Sequence, residues 1–148
     1  MDKLDQGARS ALMRRIRATD TGPELAVRSA LHRAGVRFRL HASDLPGKPD
    51  LVNRTRRFAV FVHGCFWHAH QNCRFAARPK TRPDFWASKL EANRRRDSAS
   101  IQALAQLGYR TAVVWECSLK KAESSTRAHN QLLKWVNGRA QHVEINSD

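Results

Sequence analysis

The sequence predicts a mixed α/β domain in which helices flank a central sheet. Amphipathic segments and short apolar runs follow one another in the order helix, three strands, helix, strand and helix. The chain has 148 residues, the length of one ordinary domain that can bury about two-thirds of its unfolded surface. We therefore expect one domain over residues 1–148, with about 12 N-terminal and about 10 C-terminal residues loosely held.

The first helix is predicted between Thr21 and Gly35. Thr21 and Glu24 have the spacing of a capping box, which satisfies free N–H groups at a helix start. Apolar residues from Leu25 to Leu31 continue with helical spacing, and Gly35 is a typical helix stop.

Three segments after this helix have the pattern of strands: residues 36–40, 51–52 and 58–62. The last is continuously apolar, which is typical of a strand buried on both faces. The turn sequence Leu45-Pro46-Gly47-Lys48-Pro49 leaves Asp50 at the mouth of the second strand.

Helical spacing returns in residues 85–107, as one or two helices with the basic residues 94–96 on the outer face. Residues 109–115 predict a further strand, with Cys117 just beyond its end. Residues 124–136 predict the last helix.

The charge balance indicates a polyanionic partner. Lys and Arg number 27 against 13 Asp and Glu, which gives a net charge of +14 and a pI near 11.2. Such a field attracts nucleic acid, and the planar guanidinium of Arg suits phosphate and guanine. A structural nucleic-acid binder, such as a ribosomal protein, has the same charge and stays open on this evidence.

The sequence has no apolar run of about 18 residues, and its start lacks the pattern of a secretory signal. We therefore expect a cytoplasmic protein without a membrane partner. In a reducing compartment, its 3 cysteines favour metal ligation or buried thiols over a disulfide.

The segment after the third strand concentrates cysteine, histidine and aromatic side chains. Cys65, His70 and Cys73 form a Cys-x4-His-x2-Cys pattern. Cys117 could complete a tetrahedral site of the kind that Zn²⁺ favours, and His68 is the competing histidine ligand. Four protein ligands leave no open position, so this zinc would be structural. Buried free cysteines are the alternative.

Asp50 is the candidate ligand for a second, catalytic metal. A carboxylate at a strand end is rigidly placed and suits a hard cation such as Mg²⁺. On spacing alone, a turn or capping role for this Asp after Pro is the alternative.

Four motifs together carry a family resemblance. They are Thr21-Gly22-Pro23-Glu24, Leu45-Pro46-Gly47-Lys48-Pro49-Asp50, Phe61-Val62-His63-Gly64-Cys65-Phe66-Trp67-His68 and Val114-Trp115-Glu116-Cys117. In this order they resemble the very short patch repair (Vsr) endonucleases, over residues 13–120. The resemblance implies a variant of the PD-(D/E)xK restriction-endonuclease fold. It also implies Mg²⁺-dependent nicking of one DNA strand 5′ to the thymine of a T:G mismatch, which arises when 5-methylcytosine deaminates.

The resemblance further implies an active site around Asp50. Asp50 would bind Mg²⁺ together with the main-chain carbonyl of Val62, which needs no particular side chain. His68 would be the general base for the attacking water, His63 would assist at the phosphate, and Glu24 would organise the water around the metal. On the residues alone, Glu24 could simply complete the capping box and His63 could be a core histidine.

By the same resemblance, Met13, Phe66, Trp67 and Trp86 wedge between base pairs at the mismatch. Such wedges cost a few kcal/mol of unstacking, and a T:G wobble pair lowers that cost. At helical spacing, Trp86 could instead be an ordinary core residue.

Basic side chains are predicted to contact phosphates: Arg14, Arg15 and Arg17, and those of residues 94–96. A solvated charged face is the alternative. The resemblance implies a monomer that acts on an asymmetric lesion in double-stranded DNA, with a functional link to a cytosine-5 methyltransferase and to mismatch-repair proteins. Two other functions stay open: a zinc-stabilised protein that binds mismatches without cutting, and a nuclease of the same fold for another DNA structure.

Overall fold

A computed structural model of the chain describes residues 21–147. The predicted DNA contacts at Met13, Arg14, Arg15 and Arg17 lie outside these residues. Three helices and five strands form the described part, with short 3₁₀ turns at Arg74–Ala76 and Glu116–Leu119. In chain order they are α1 (Gly22–Arg33), β1 (Arg39–Leu40), β2 (Leu51–Asn53), β3 (Phe58–His63), α2 (Pro83–Gln106), β4 (Arg110–Trp115), α3 (Ala122–Val136) and β5 (His142–Ile145).

The strands lie in one sheet in the order β1-β2-β3-β4-β5. The pairs β1/β2 and β2/β3 are antiparallel, whereas β3/β4 and β4/β5 are parallel. In the parallel register, His63 at the end of β3 is opposite Trp115 at the end of β4. The segments that leave these two strands therefore start side by side at one edge of the sheet, which brings Cys65 near Cys117.

Helices cover both faces of the sheet, which confirms the predicted mixed α/β class. On one face, α1 and α3 pack over β3 and β4 in a buried cluster that includes Leu31, Phe58 and Leu132. On the other face, α2 contributes Leu104 to a cluster that includes Phe61. Alternate residues of β3 belong to different clusters, so this strand is buried on both faces, as its continuous apolar run predicted.

The first helix confirms its predicted signals. The Thr21 side chain accepts a hydrogen bond from the backbone N–H of Glu24 at 3.3 Å. At the other end, Gly35 has φ +76°, and the N–H of Val36 donates to the Leu31 carbonyl at 2.9 Å. This turn closes the helix as a glycine C-cap does.

The prediction of one or two helices over residues 85–107 is confirmed as one helix, α2, which continues from Pro83 to Gln106 without a break. Two other predictions need correction. The first strand is shorter than residues 36–40, because Val36 belongs to the helix-closing turn and packs in the core. The prediction that the residues after Gly138 are loosely held was wrong for β5, which pairs with β4 and buries Ile145 completely. None of the described helices is long and apolar enough to cross a membrane.

Candidate active site and metal centre

The predicted zinc ligands converge at the sheet edge where β3 and β4 end. One ligand atom from each of Cys65, His70, Cys73 and Cys117 lies within 4.8 Å of the other three. The backbone N–H of His70 donates to the Cys65 carbonyl at 2.9 Å, so a tight turn brings the histidine back to the first cysteine. Thiols and an imidazole at this spacing fit the donor set that Zn²⁺ prefers.

The His70 ring is held in one orientation by two contacts. Its Nε2 lies 2.6 Å from Asn146 Oδ1, and the ring stacks on Trp115 with centroids 4.0 Å apart. An Nε2–H that donates to Asn146 leaves the Nδ1 lone pair for a metal, and Nδ1 lies 3.6 Å from Cys117 Sγ. His68, the competing ligand, is not part of this group.

A buried thiol needs a nearby cation to ionise. Burial raises the pKa of the Cys65 thiol, and the neighbouring Cys117 thiol adds to that effect. A divalent metal among these sulfurs reverses the balance, because it binds thiolates directly. The cysteine group is therefore able to hold a metal as thiolates, and without a metal its buried members are neutral thiols.

A second group of possible metal ligands surrounds Asp50, beside the middle of the sheet. Ligand atoms of Glu24, His41 and Asp50 lie within 4.8 Å of one another. Asp50 Oδ2 accepts a hydrogen bond from the backbone N–H of Val62 at 2.7 Å. The Val62 peptide group therefore lies directly against the carboxylate.

Glu24 belongs to this group although it also starts a helix. Its side chain is only 2% exposed, and its Oε2 accepts from Arg28 and lies 2.9 Å from His41 Nε2. The carboxylate thus lies with Asp50 and His41, while the Thr21 side chain caps α1 through the backbone N–H of Glu24. Glu24 therefore belongs to the Asp50 group as well as to the first turn of α1.

The half-buried Asp50 carboxyl, next to the buried Glu24 carboxylate, resists ionisation. Burial is the main reason that the pKa of Asp50 rises to about 7, and the neighbouring Glu24 carboxylate raises it further. The hydrogen bond from Val62 acts in the opposite direction. A divalent cation would relieve this repulsion, so the pair has the electrostatics of a cation site.

The histidine next to Val62 begins a third group. His63, at the end of β3, stacks on His68 with ring centroids 3.7 Å apart and planes nearly parallel. His68 Nδ1 lies 2.7 Å from Asp97 Oδ2, on α2. Because His63 follows Val62 directly, the histidine pair begins one residue after the backbone N–H that contacts Asp50.

His63 is buried and electrically neutral near pH 7. Burial lowers its pKa to about 3, and the neighbouring His68 lowers it further. Its buried Nδ1 has no hydrogen-bond partner among residues 21–147. An ordinary core histidine has its polar atoms satisfied, so this atom is available to a ligand.

Aromatic side chains form a cluster beside the histidines. The rings of Phe66, Trp67 and Trp86 lie 5.1 to 6.0 Å apart, and Phe85 extends the cluster with 43% of its surface exposed. Trp86 is half-buried and packs against these rings. The Lys89 ammonium lies within 5.7 to 5.9 Å of several of these ring centroids, so the cluster presents both apolar and positive surface.

An open groove of about 1500 Å³ leads away from the histidine pair. Basic side chains along it include Arg94, Arg95 and Lys120. Arg94 and Arg95 contact Glu91 at 3.5 Å, so part of the predicted basic face of α2 is neutralised locally. The basic side chains of the groove, such as Lys120, still place positive charge in the same groove as His68.

Sequence reasoning missed Asp97, His41, Asn146 and Lys89 as site residues. Asp97 and Lys89 lie on a helix where nothing in their local sequence separates them from solvated residues. His41 follows β1 directly, and its position after a strand was the one available signal. Asn146 lies in a segment that was expected to be loosely held.

Comparisons with known proteins agree with this geometry. Residues 1–74 match the family model described as DNA mismatch endonuclease Vsr. The chain is 54% identical over 118 residues to type II nicking enzyme V.XorIIP of Xanthomonas oryzae, covering 80% of this chain and 86% of that protein. It is 38% identical over 148 residues to DNA mismatch endonuclease Vsr of Escherichia coli, covering 99% and 94% of the two chains. It is also 37% identical to type II nicking enzyme V.NmeAIP of Neisseria meningitidis, over 91% of this chain and 96% of that protein.

Proposed function

Because the chain belongs to the Vsr family of DNA mismatch endonucleases, we propose that it nicks one DNA strand 5′ to the thymine of a T:G mismatch, with Mg²⁺ as cofactor. Family membership makes it a strand-nicking DNA mismatch endonuclease. The base specificity and the metal are the proposal. The observation that carries it is the contact between Asp50 and the Val62 peptide, which puts a buried carboxylate next to the histidine pair.

A variant of the PD-(D/E)xK restriction-endonuclease fold is also part of this proposal. A PD-(D/E)xK nuclease carries its first carboxylate after Pro at a strand, as Pro49 and Asp50 do here before β2. In other PD-(D/E)xK nucleases an acidic residue and a lysine follow on the next strand, but β3 of this chain contains neither. The Val62 backbone and the His63 side chain would take their place. We therefore assign the sheet to a variant of the restriction-endonuclease fold.

The residues around Asp50 fit a hard divalent cation. Asp50 and the Val62 carbonyl would hold Mg²⁺, and Glu24 would order water around it. Bound there, Mg²⁺ would polarise the scissile phosphate and neutralise charge that develops on it. The raised pKa of Asp50, caused by burial and by Glu24, supports this assignment because a cation favours the ionised carboxylate.

The histidines would handle the proton and the phosphate. Asp97 occupies Nδ1 of His68, so Nε2 would accept the proton of the attacking water. His63 is neutral because burial lowers its pKa to about 3, so its free Nδ1 would form one hydrogen bond with the phosphate. The two stacked rings thereby divide proton transfer and positioning between them.

Mismatch preference would come from the aromatic cluster of Phe66, Trp67 and Trp86. Apolar wedges that enter the base stack cost less at a weak pair than at a sound one. Phe66 and Trp67 lie between Cys65 and His68 in sequence. Insertion of their rings at the mismatch would therefore place the DNA sugar-phosphate backbone near His68, the proposed general base. Predicted roles for Met13, Arg14 and Arg15 complete this interface.

Zn²⁺ at Cys65, His70, Cys73 and Cys117 would be structural, since the four protein ligands leave no position open. We also propose that the protein acts as a monomer, because a mismatch is an asymmetric lesion. Its substrates would arise where a partner cytosine-5 methyltransferase acts, with mismatch-repair proteins working on the same DNA.

The test is incision of labelled duplexes that contain T:G mismatches in varied contexts, beside matched T:A and C:G controls, with Mg²⁺ or with EDTA. We expect Mg²⁺-dependent nicks 5′ to the mismatched thymine in a subset of contexts. Asp50→Ala should bind the mismatch normally and fail to nick it. Binding without incision by the parent protein would favour a mismatch-binding role, and cutting of matched duplex would favour a nuclease for another DNA structure.

A further inference from the structure

His41 is held beside the two carboxylates by the backbone. It follows β1 directly, has a left-handed backbone with φ +49°, and its N–H donates to the Asp50 carbonyl at 3.0 Å. Non-glycine residues adopt this conformation uncommonly, and histidine does so more often than most. The backbone hydrogen bond to Asp50 fixes where the His41 side chain starts.

The ligand atoms have the spacing of neighbours around one ion. His41 Nε2 is 2.9 Å from Glu24 Oε2, and the three groups lie within 4.8 Å of one another. Adjacent ligands of an octahedral ion lie about 3 Å apart, since each ion–ligand distance is about 2.1 Å. The 2.9 Å between His41 Nε2 and Glu24 Oε2 matches this spacing, and a carboxylate oxygen of Asp50 lies within 4.8 Å of a ligand atom of each of these residues.

A positive group already lies at this position. Arg28 donates to Glu24 Oε2, and its Nη2 also lies 3.3 Å from His41 Nε2. Arginine has only donors, so this contact uses the Nε2 lone pair in the tautomer whose proton is on Nδ1, whereas the contact with Glu24 uses an Nε2–H in the other tautomer. The Arg28 guanidinium thus occupies a position where one positive group contacts both the Glu24 carboxylate and the His41 imidazole.

We propose that His41 is a direct ligand of the divalent cation at Asp50, so that the site combines carboxylate oxygens with one imidazole nitrogen. This inference rests on the proposed metal-dependent function and deepens it. Imidazole binds Mn²⁺ better than it binds Mg²⁺, whereas carboxylates suit both ions. Mn²⁺ is therefore the suitable probe ion for a nitrogen ligand at this site.

The direct measurement is pulsed electron paramagnetic resonance of Mn²⁺ bound to the zinc-loaded protein without DNA. We expect a hyperfine coupling to ¹⁴N that changes to ¹⁵N when the protein is labelled with ¹⁵N-histidine. His41→Gln should remove the coupling and weaken Mn²⁺ binding by about 10–100-fold. The matched control is His32→Gln, since His32 is an exposed histidine near the end of α1.

The outcomes separate this inference from the proposed function. A coupling that is present in the parent and in His32→Gln but absent in His41→Gln supports the ligand role. Mn²⁺ that binds with no nitrogen coupling, or a coupling that persists in His41→Gln, overturns it. Incision in Mg²⁺ tests the nuclease separately, because the parent can nick T:G duplexes whether or not a nitrogen binds the metal.

Discussion

His68 needs a fixed ring to accept a proton, and two neighbours provide it. Its Nδ1 is 2.7 Å from Asp97 Oδ2, and its ring stacks on His63 at 3.7 Å. A carboxylate on Nδ1 stabilises the tautomer whose lone pair is on Nε2, and it also stabilises the imidazolium that forms on proton transfer. Asp97 is therefore a positioning residue for the proposed general base.

We expect Asp97→Ala to lower the nicking kcat by about 10–100-fold, part of the roughly 10²–10⁴-fold that a general base contributes. Mismatch affinity should change little, because Asp97 is not part of the aromatic cluster. Single-turnover incision and duplex binding, measured separately, check this split.

The control for this prediction is Glu91→Ala. Glu91 lies on the same helix, and its carboxylate forms ion pairs with Arg94 and Arg95 at 3.5 Å. We expect that variant to nick at the parental rate. An Asp97→Ala enzyme as fast as the parent, alongside an inactive His68→Ala enzyme, would remove Asp97 from the mechanism.

Local sequence could not predict this contact. Asp97 is 29 positions from His68, and it follows a run of arginines on a helix where an acidic residue ordinarily forms a surface ion pair. Asp50 was easier to find because a proline turn places it at a strand end. A residue whose role comes only from tertiary contact leaves no pattern in the sequence around it.

Among the elements, β3 and β5 mark the limits of prediction. The apolar run of β3 has one structural explanation, burial on both faces, and the structure confirms it. The four residues of β5, His142 to Ile145, alternate polar and apolar side chains, but this alternation is too short to distinguish them from a polar tail. Their order comes from pairing with β4, which is a tertiary effect.

Glu144 helps to hold β5 in this position. Trp115 Nε1 donates to its Oε1 at 2.8 Å, and His142 Nε2 lies 2.6 Å from its Oε2. Burial alone would raise the pKa of Glu144, but the hydrogen bonds from His142 and Trp115 outweigh it and lower that pKa below its ordinary value. The folded protein therefore favours the ionised carboxylate.

We expect Glu144→Gln to reduce the free energy of unfolding at pH 7 by about 1 kcal/mol, a value lowered by the partial exposure of the group. A carboxyl with a depressed folded pKa stabilises the fold above its unfolded pKa, and this contribution is lost as the pH falls through the folded value. The difference between the two proteins should thus shrink below the ordinary carboxyl pKa of 4.5. Urea unfolding of both proteins from pH 7 down to about pH 3 measures it.

Glu123→Gln is the matched control, because Glu123 is exposed in the first turn of α3. Its effect on the free energy of unfolding should be a few tenths of a kcal/mol. If the deficit of Glu144→Gln stayed constant across the acidic range, ionisation of Glu144 would not be its cause.

At the scale of the whole molecule, a large positive charge opposes a compact fold. The net charge is +14, and such a field promotes association with DNA while its self-repulsion costs stability. The proposed zinc centre counteracts this cost, since it joins the ends of β3 and β4 and, through His70 and Asn146, the residue after β5. One ion would link the segments that carry the aromatic cluster and the catalytic histidines.

Removal of this metal should therefore unfold the protein or bring it close to unfolding. Structural zinc sites contribute on the order of 10 kcal/mol, which is comparable to the total stability of about 5–15 kcal/mol of a typical domain. We expect Cys73→Ser, or chelation of the parent, to lower the melting temperature sharply and to abolish mismatch binding together with nicking. Metal content, circular dichroism and duplex binding on the same samples provide the measurement.

Asp50→Ala is the control that separates the two metals. It should retain one equivalent of zinc, the parental melting behaviour and mismatch binding, because Asp50 lies outside the cysteine group, and it should lose only incision. A Cys73→Ser protein that keeps its zinc, its melting temperature and its binding would show that Cys73 is not a structural ligand. Since Phe66 and Trp67 lie between Cys65 and His70, loss of zinc with intact mismatch binding would likewise show that the aromatic cluster is ordered by packing alone.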